Sequence, residues 1–190
     1  MRVLVVDESP ERAGILIEGL LRAGHEVAAT LSSPLELLRA VDRTQPDVII
    51  IDTESPTRDV LEHVVMVSRD LPRPIVMFAD DSSADTIRDV MQAGVSAYVV
   101  DGLDPSRVRS IVDVACAQFE QFQNLRNELA EANLKLAERK AVDRAKGLLM
   151  KKKDLSEEDA YAMLRKMAMS RGKRIGDVAQ TVIDAAELFG

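Results

Sequence analysis

Three acidic residues stand where an α/β protein usually does its chemistry. Asp7 and Glu8 close the apolar run Val3-Leu4-Val5-Val6, and Asp52 closes Ile49-Ile50-Ile51. If both runs are strands of one parallel sheet, the three carboxyl groups lie at its carboxyl edge, where such sheets place their ligands. Clustered carboxylates supply the oxygen donors that a hard cation such as Mg²⁺ takes in an octahedral site. With that cation bound, Asp52 has the chemistry to accept a phosphoryl group as a carboxylate nucleophile. The plainer alternative is that strand-end acids only cap helices or face water. Other chemistry is poorly provided for. His25 and His63 lie outside any motif with a nucleophile, and Cys116 sits in a helical stretch and reads as a small hydrophobe. The chain has no phosphate-cradling glycine loop and no zinc-ligand spacing. The sequence thus predicts no enzyme and requires no cofactor; Mg²⁺ at Asp7, Glu8 and Asp52 is the one candidate.

Positioning those acids needs five strands. Val3–Val6, Val27–Thr30, Val48–Ile51, Ile75–Phe78 and Ala97–Val100 are short aliphatic runs, as expected of strands in a parallel sheet covered on both faces. Amphipathic stretches separate them. Ile15, Leu16, Gly19, Leu20 and Ala23 share a helical face that ends at Gly24. Pro34–Ala40 starts with proline near the first helical position, and Thr86, Ile87, Val90 and Met91 precede a stop at Gly94. Five strand–helix units predict a doubly wound (βα)5 domain over residues 1–115.

From about Asp104 no strand signal remains. Ile111, Ala115, Gln118, Phe122, Leu125, Leu129, Ala132 and Leu136 recur at alternating steps of four and three, a heptad seam. A long helix is predicted to pair with a second copy of itself through this seam, with residues 116–138 as a coiled-coil linker. Packing within one chain is the alternative. Leu155-Ser156-Glu157-Glu158-Asp159 then reads as a helix start with Ser156 as cap, running to about Ser170, and a last helix spans about Gly176–Leu188. With the end of the long helix, they make a small three-helix domain over 139–190.

Charge divides along the same boundary. The net charge of −7 combines an acidic front with a tail, residues 139–190, that holds 12 basic and 8 acidic residues. Arg144, Lys146, Lys151 and Lys152 surround the small side chains of Ala141, Ala145 and Gly147. Small residues permit close backbone approach and the cations suit phosphates, so Ala145 is predicted to offer a shallow patch to RNA. Arg165, Lys166, Lys173 and Arg174 extend the surface, and Tyr161 is a candidate for stacking on a base. Composition alone does not separate RNA from DNA. The single cysteine suits a reducing compartment, and no apolar run reaches membrane-spanning length, so a cytoplasmic protein is expected.

Residues 1–115 resemble the receiver domains of bacterial response regulators. Val5-Val6-Asp7-Glu8 matches their paired acids and Asp52 their phosphoacceptor. Two positions depart: Ala79 stands where the family has a hydroxyl, and Asp101 where it has a lysine. A carboxylate in place of an ammonium opposes a further anion. The resemblance with these departures implies a pocket in which phosphorylation is not the main switch. Residues 139–190 resemble the ANTAR domain, an RNA-binding output module. The carrying segments are Arg139–Met150, with Ala145-Lys146-Gly147-Leu148-Leu149-Met150 at its core, Leu155–Lys166, and Ile175-Gly176-Asp177-Val178-Ala179. Together the chain resembles the AmiR/NasT family. Gly94–Leu103 and Asp52–Leu61 look like its nitrate-responsive branch. That resemblance implies an antiterminator of nitrate and nitrite assimilation genes that holds paired hairpins in leader mRNA and is restrained by a nitrate-sensing protein. A DNA-binding response regulator and a non-catalytic protein adaptor are the rival readings. Against the first, the polar face of the last helix, Asp177, Gln180, Thr181 and Asp184, has no cation.

Overall fold

A computed structural model describes residues 1–100, 104 and 106–189. The chain divides into two compact units, 1–123 and 124–190. The first holds five strands, β1 (Arg2–Asp7), β2 (Glu26–Leu31), β3 (Val48–Thr53), β4 (Ile75–Ala79) and β5 (Ala97–Val100). They form one parallel sheet in the order β2-β1-β3-β4-β5. The order reverses between β1 and β3, which opens a crevice at their carboxyl ends. Asp7 and Asp52 are partners across that point.

Side-chain alternation along each strand builds two cores. Leu4, Val6, Ile49, Ile51, Ile75 and Met77 face the helices α2 (Leu37–Thr44), α3 (Arg58–Asp70) and α4 (Ala84–Gln92). Val3, Val5, Val48, Ile50, Val76 and Phe78 face α1 (Pro10–Arg22) and the start of α5 (Val108–Lys153). The expectation of strands buried on both faces holds for β1, β3 and β4; β2 and β5 are the sheet edges and are only half covered. Ser9, Thr57 and Ser83 start α1, α3 and α4 by accepting a hydrogen bond from the backbone N–H three residues on. Gly94 ends α4 at φ +101°, where a Cβ would meet Ser68 Oγ at 2.5 Å.

One feature of the predicted seam is corrected. Ile111 and Ala115 do not belong to a free dimer face. They pack, with Val108 and Val112, in the core beneath the sheet, because positions 108, 111, 112 and 115 share one side of α5. From Gln118 onward the seam is bare: Phe122 is 62% and Leu129 63% exposed, and Leu125 and Leu136 are exposed with them. Residues 116–138, expected as a linker helix, lie inside α5, which runs unbroken through 46 residues.

In the second unit the end of α5 packs with α6 (Glu157–Arg171) and α7 (Ile175–Phe189). Ala145, Leu149, Ala160, Leu164, Val178, Ala179 and Ile183 form the core. Ser156 caps α6 as predicted, and Gly172 ends it at φ +60°. Among the described residues no helix is long and apolar enough to cross a membrane.

Candidate functional site: an acidic pocket and a basic helical face

Asp7 is 3% exposed and Asp52 8% exposed, and both stand at strand ends beside the sheet crevice. Asp7 Oδ1 accepts the Ser9 N–H at 2.7 Å, while its Oδ2 has no hydrogen-bond partner within the protein. Burial, and then the Asp7 carboxylate, push the Asp52 carboxyl up to about 6, against the downward pull of Arg12; Asp80, just past β4, adds to the rise. Glu8 is exposed and does not join the pair, a correction to the three-acid pocket. Among the described residues no three acidic, histidine or cysteine side chains converge as a metal cage. Two facing carboxylates with one stranded oxygen still suit Mg²⁺, which keeps several waters and takes one or two carboxylates. Asp7 and Asp52 would hold it, and when bound it would supply positive charge against phosphoryl oxygens.

The residue missing from the sequence reading is Arg12. Its guanidinium lies 3.4 Å from Asp7 Oδ1, 3.7 Å from Asp52 Oδ2 and 3.9 Å from Glu54 Oε1. A signal was present. Arg12 occupies the first turn of α1, where the positive end of the helix dipole disfavours a cation and an anionic neighbour offsets the cost. Ala79 ends β4 with a buried methyl group beside Thr53. Asp101 lies outside the described residues.

In the second unit the structure sorts the predicted cations into two groups. Lys146 is paired with Asp143 Oδ1 and Glu157 Oε1, each at 2.8 Å, and its side chain is only 16% exposed. Those bonds, from Asp143 first, hold its ammonium above the usual lysine range. Arg144 pairs with Glu187, and Arg174 with Glu138. Ala145 is wholly buried in the three-helix core, so it is a packing residue and not a surface patch.

Lys151, Lys152, Arg165, Lys166 and Lys173 are exposed, and none pairs with a carboxylate among the described residues. Arg165 and Lys166 stand with Tyr161, Ala162, Met169 and Ser170 around an open hollow of about 570 Å³ on one side of α6. Tyr161 is 46% exposed there. The hollow thus gathers an aromatic ring, two free cations and an exposed methionine. On α7, by contrast, the polar residues bond to their own helix: Gln180 donates to Asp184 and Thr181 to the Asp177 carbonyl.

Residues 3–113, more than half of the chain, match the family described as response regulator receiver domain. The chain belongs to that family. Residues 130–183 match the ANTAR domain, so a receiver domain is followed by an ANTAR output domain in a two-component response regulator. The ANTAR match begins upstream of the expected boundary at 139, inside α5. The transcriptional regulatory protein PdtaR of Mycobacterium tuberculosis is 28% identical over 183 residues, 96% of this chain and 89% of that protein. A protein-glutamate methylesterase/protein-glutamine glutaminase of Xanthomonas oryzae is 35% identical over 102 residues, but that covers 52% of this chain and 28% of the enzyme. That likeness is confined to the receiver part. The signal receiver domain of a modulated diguanylate cyclase from Desulfovibrio desulfuricans has the same fold, with a TM-score of 0.56 at 16% identity over 63% of this chain and 96% of that one.

Proposed function

We propose that this response regulator is a transcription antiterminator whose ANTAR domain grips hairpin loops in leader RNA through the exposed side of α6. The observation that carries the reading is the hollow of Tyr161, Arg165 and Lys166 in a segment that matches ANTAR. Hairpin loops present unstacked bases, which lie on aromatic rings, while nearby Lys and Arg hold the phosphates. Lys151, Lys152 and Lys173 add free charge to the domain. The match to a transcriptional regulatory protein over nearly the whole chain supports a role in transcription.

Three further parts of the reading have narrower support. The bare stripe from Phe122 to Leu136 supports a homodimer, which suits a target of two hairpins. Ala79 without a hydroxyl and Asp101 in the sequence support control by a protein partner rather than by phosphorylation of Asp52. Nitrate and nitrite genes as the target and a nitrate-sensing partner rest on the family resemblance alone, and a cytoplasmic site on the single cysteine and the lack of a membrane-spanning run.

Gel shifts test the core of this reading. Full-length protein should retard a paired-hairpin RNA at concentrations where the duplex DNA of the same sequence stays free. Equal retardation of the DNA would favour a DNA-binding regulator, and retardation of neither would favour a protein adaptor; each overturns the RNA reading.

A further inference from the structure

Arg12 serves neither RNA binding nor phosphoryl transfer as described so far. It reaches carboxylates from β1, β3 and the loop after β3, all within 4 Å. Yet only its contact with Asp7 is a hydrogen bond, at 3.4 Å, and its Nε is buried with no hydrogen-bond partner. On the other side of the pair, Asp7 Oδ2 is buried and equally unpartnered. The cluster carries more negative than positive charge and is poorly bonded: one guanidinium spans three carboxylates and fits none of them as a bidentate fork would.

We propose that Arg12 is the resident cation of the receiver pocket and competes with a divalent metal ion for the carboxylates of Asp7 and Asp52. A guanidinium and a divalent ion held by the same two carboxylate groups repel one another at close range. Metal entry therefore moves Arg12 outward. Glu54, with an 84% exposed side chain, is the anchor that receives it. A metal on Asp7 and Asp52 gives the stranded Oδ2 a ligand bond that Arg12 does not supply. In the metal-free protein Arg12 instead screens two facing carboxylates that would otherwise repel one another. The device keeps a cation against the Asp7–Asp52 pair whether or not metal is present, and it lowers the apparent metal affinity by the cost of displacing Arg12.

Mg²⁺ titration of the full chain by calorimetry tests this, with Arg12→Ala, Arg12→Gln and Arg12→Lys beside the wild type. Removing the charge should tighten Mg²⁺ binding by about tenfold. The metal-free Ala and Gln variants should melt below the wild type, and saturating Mg²⁺ should close the gap. Arg12→Lys, which keeps a cation, should stay within about twofold of the wild type. In the wild type, the Arg12 Nε–Hε resonance should move as Mg²⁺ is added. If Arg12→Ala does not fold, Arg12→Gln carries the test. Unchanged or weaker Mg²⁺ binding in the charge-free variants, an unmoved Arg12 resonance at saturation, or no Mg²⁺ binding by any of the four would overturn the proposal. None of these outcomes bears on RNA binding.

Discussion

The receiver pocket and the ANTAR domain handle charge in opposite ways. In the pocket a single guanidinium lies among three carboxylates and leaves buried polar atoms unbonded. In the ANTAR domain, carboxylates hold Arg144 and Lys146 in hydrogen-bonded ion pairs, Glu138 lies 3.8 Å from Arg174, and Arg165 and Lys166 are left bare among the described residues. The comparison separates having a charge from having one to spare. A cation already bonded to two carboxylates gains little from a phosphate, because it must give up those partners first. A cation without partners offers its full interaction. The acidic side follows the same rule: Asp7 retains an unbonded oxygen, so it has binding capacity in reserve.

The largest break should come from the buried side of the ANTAR domain. Ala145→Asp puts a carboxylate into the core against Leu149 and Leu164, and should cost about 3–5 kcal/mol. RNA binding should vanish because α5–α7 come apart. Differential scanning calorimetry should show that transition lost while the receiver transition stays. A well-folded ANTAR domain in this variant would contradict the packing role.

Next in size is the exposed stripe. Replacing Phe122 and Leu125 together with glutamate should convert dimer to monomer in sedimentation, with both domains folded. An unchanged mass would contradict a dimer seated on this stripe. A neighbouring change sharpens the boundary: Ala115 is buried beneath the sheet, so Ala115→Glu should unfold the receiver rather than merely dissociate the dimer.

A smaller effect should follow pH. Asp52 titrates near 6 in the folded protein, above its ordinary value. The folded state therefore binds more protons than the unfolded state between about pH 4 and pH 6, and stability contributed by neutral Asp52 is lost as pH rises through that window. Asp52→Asn should raise the melting temperature by a few degrees at pH 7.5 in metal-free buffer and by almost nothing at pH 4. Equal stabilisation at both pH values would mean that packing, not charge, sets the difference. The smallest effect is expected at Lys146. Lys146→Ala should leave RNA affinity within about twofold, since its ammonium is already spent on Asp143 and Glu157.

Much of the fold was legible because it depends on short-range rules. The strand runs, the cap at Ser156 and the helix stops at Gly24 and Gly94 follow from neighbours a few residues away. The site was less legible because availability depends on partners far along the chain. Glu8 was grouped with Asp7 by adjacency, although consecutive side chains at a strand end diverge. Glu157, eleven residues on and in another helix, is what occupies Lys146. Ala145 is different: Leu149 lies four residues later on the same face of α5, and that spacing already pointed Ala145 inward. The emphasis on small residues as an RNA patch overrode it. Arg12 lies on α1 and not at a strand end, so only its unfavourable place in the first turn of that helix marks it in the sequence.

The central claim is that RNA lies on the free side of α6 and not on the paired end of α5. The direct test is the affinity of a paired-hairpin RNA across a salt series for Arg165→Ala/Lys166→Ala, Tyr161→Ala and Lys146→Ala. The double variant should bind about 10- to 100-fold more weakly, with its salt slope reduced by about 1.4, or about 0.7 for each lost phosphate contact. Tyr161→Ala should lose about 1–3 kcal/mol with little change in slope, and Lys146→Ala should track the wild type. Wild-type affinity and slope in the folded α6 variants, together with a loss in Lys146→Ala, would contradict the account.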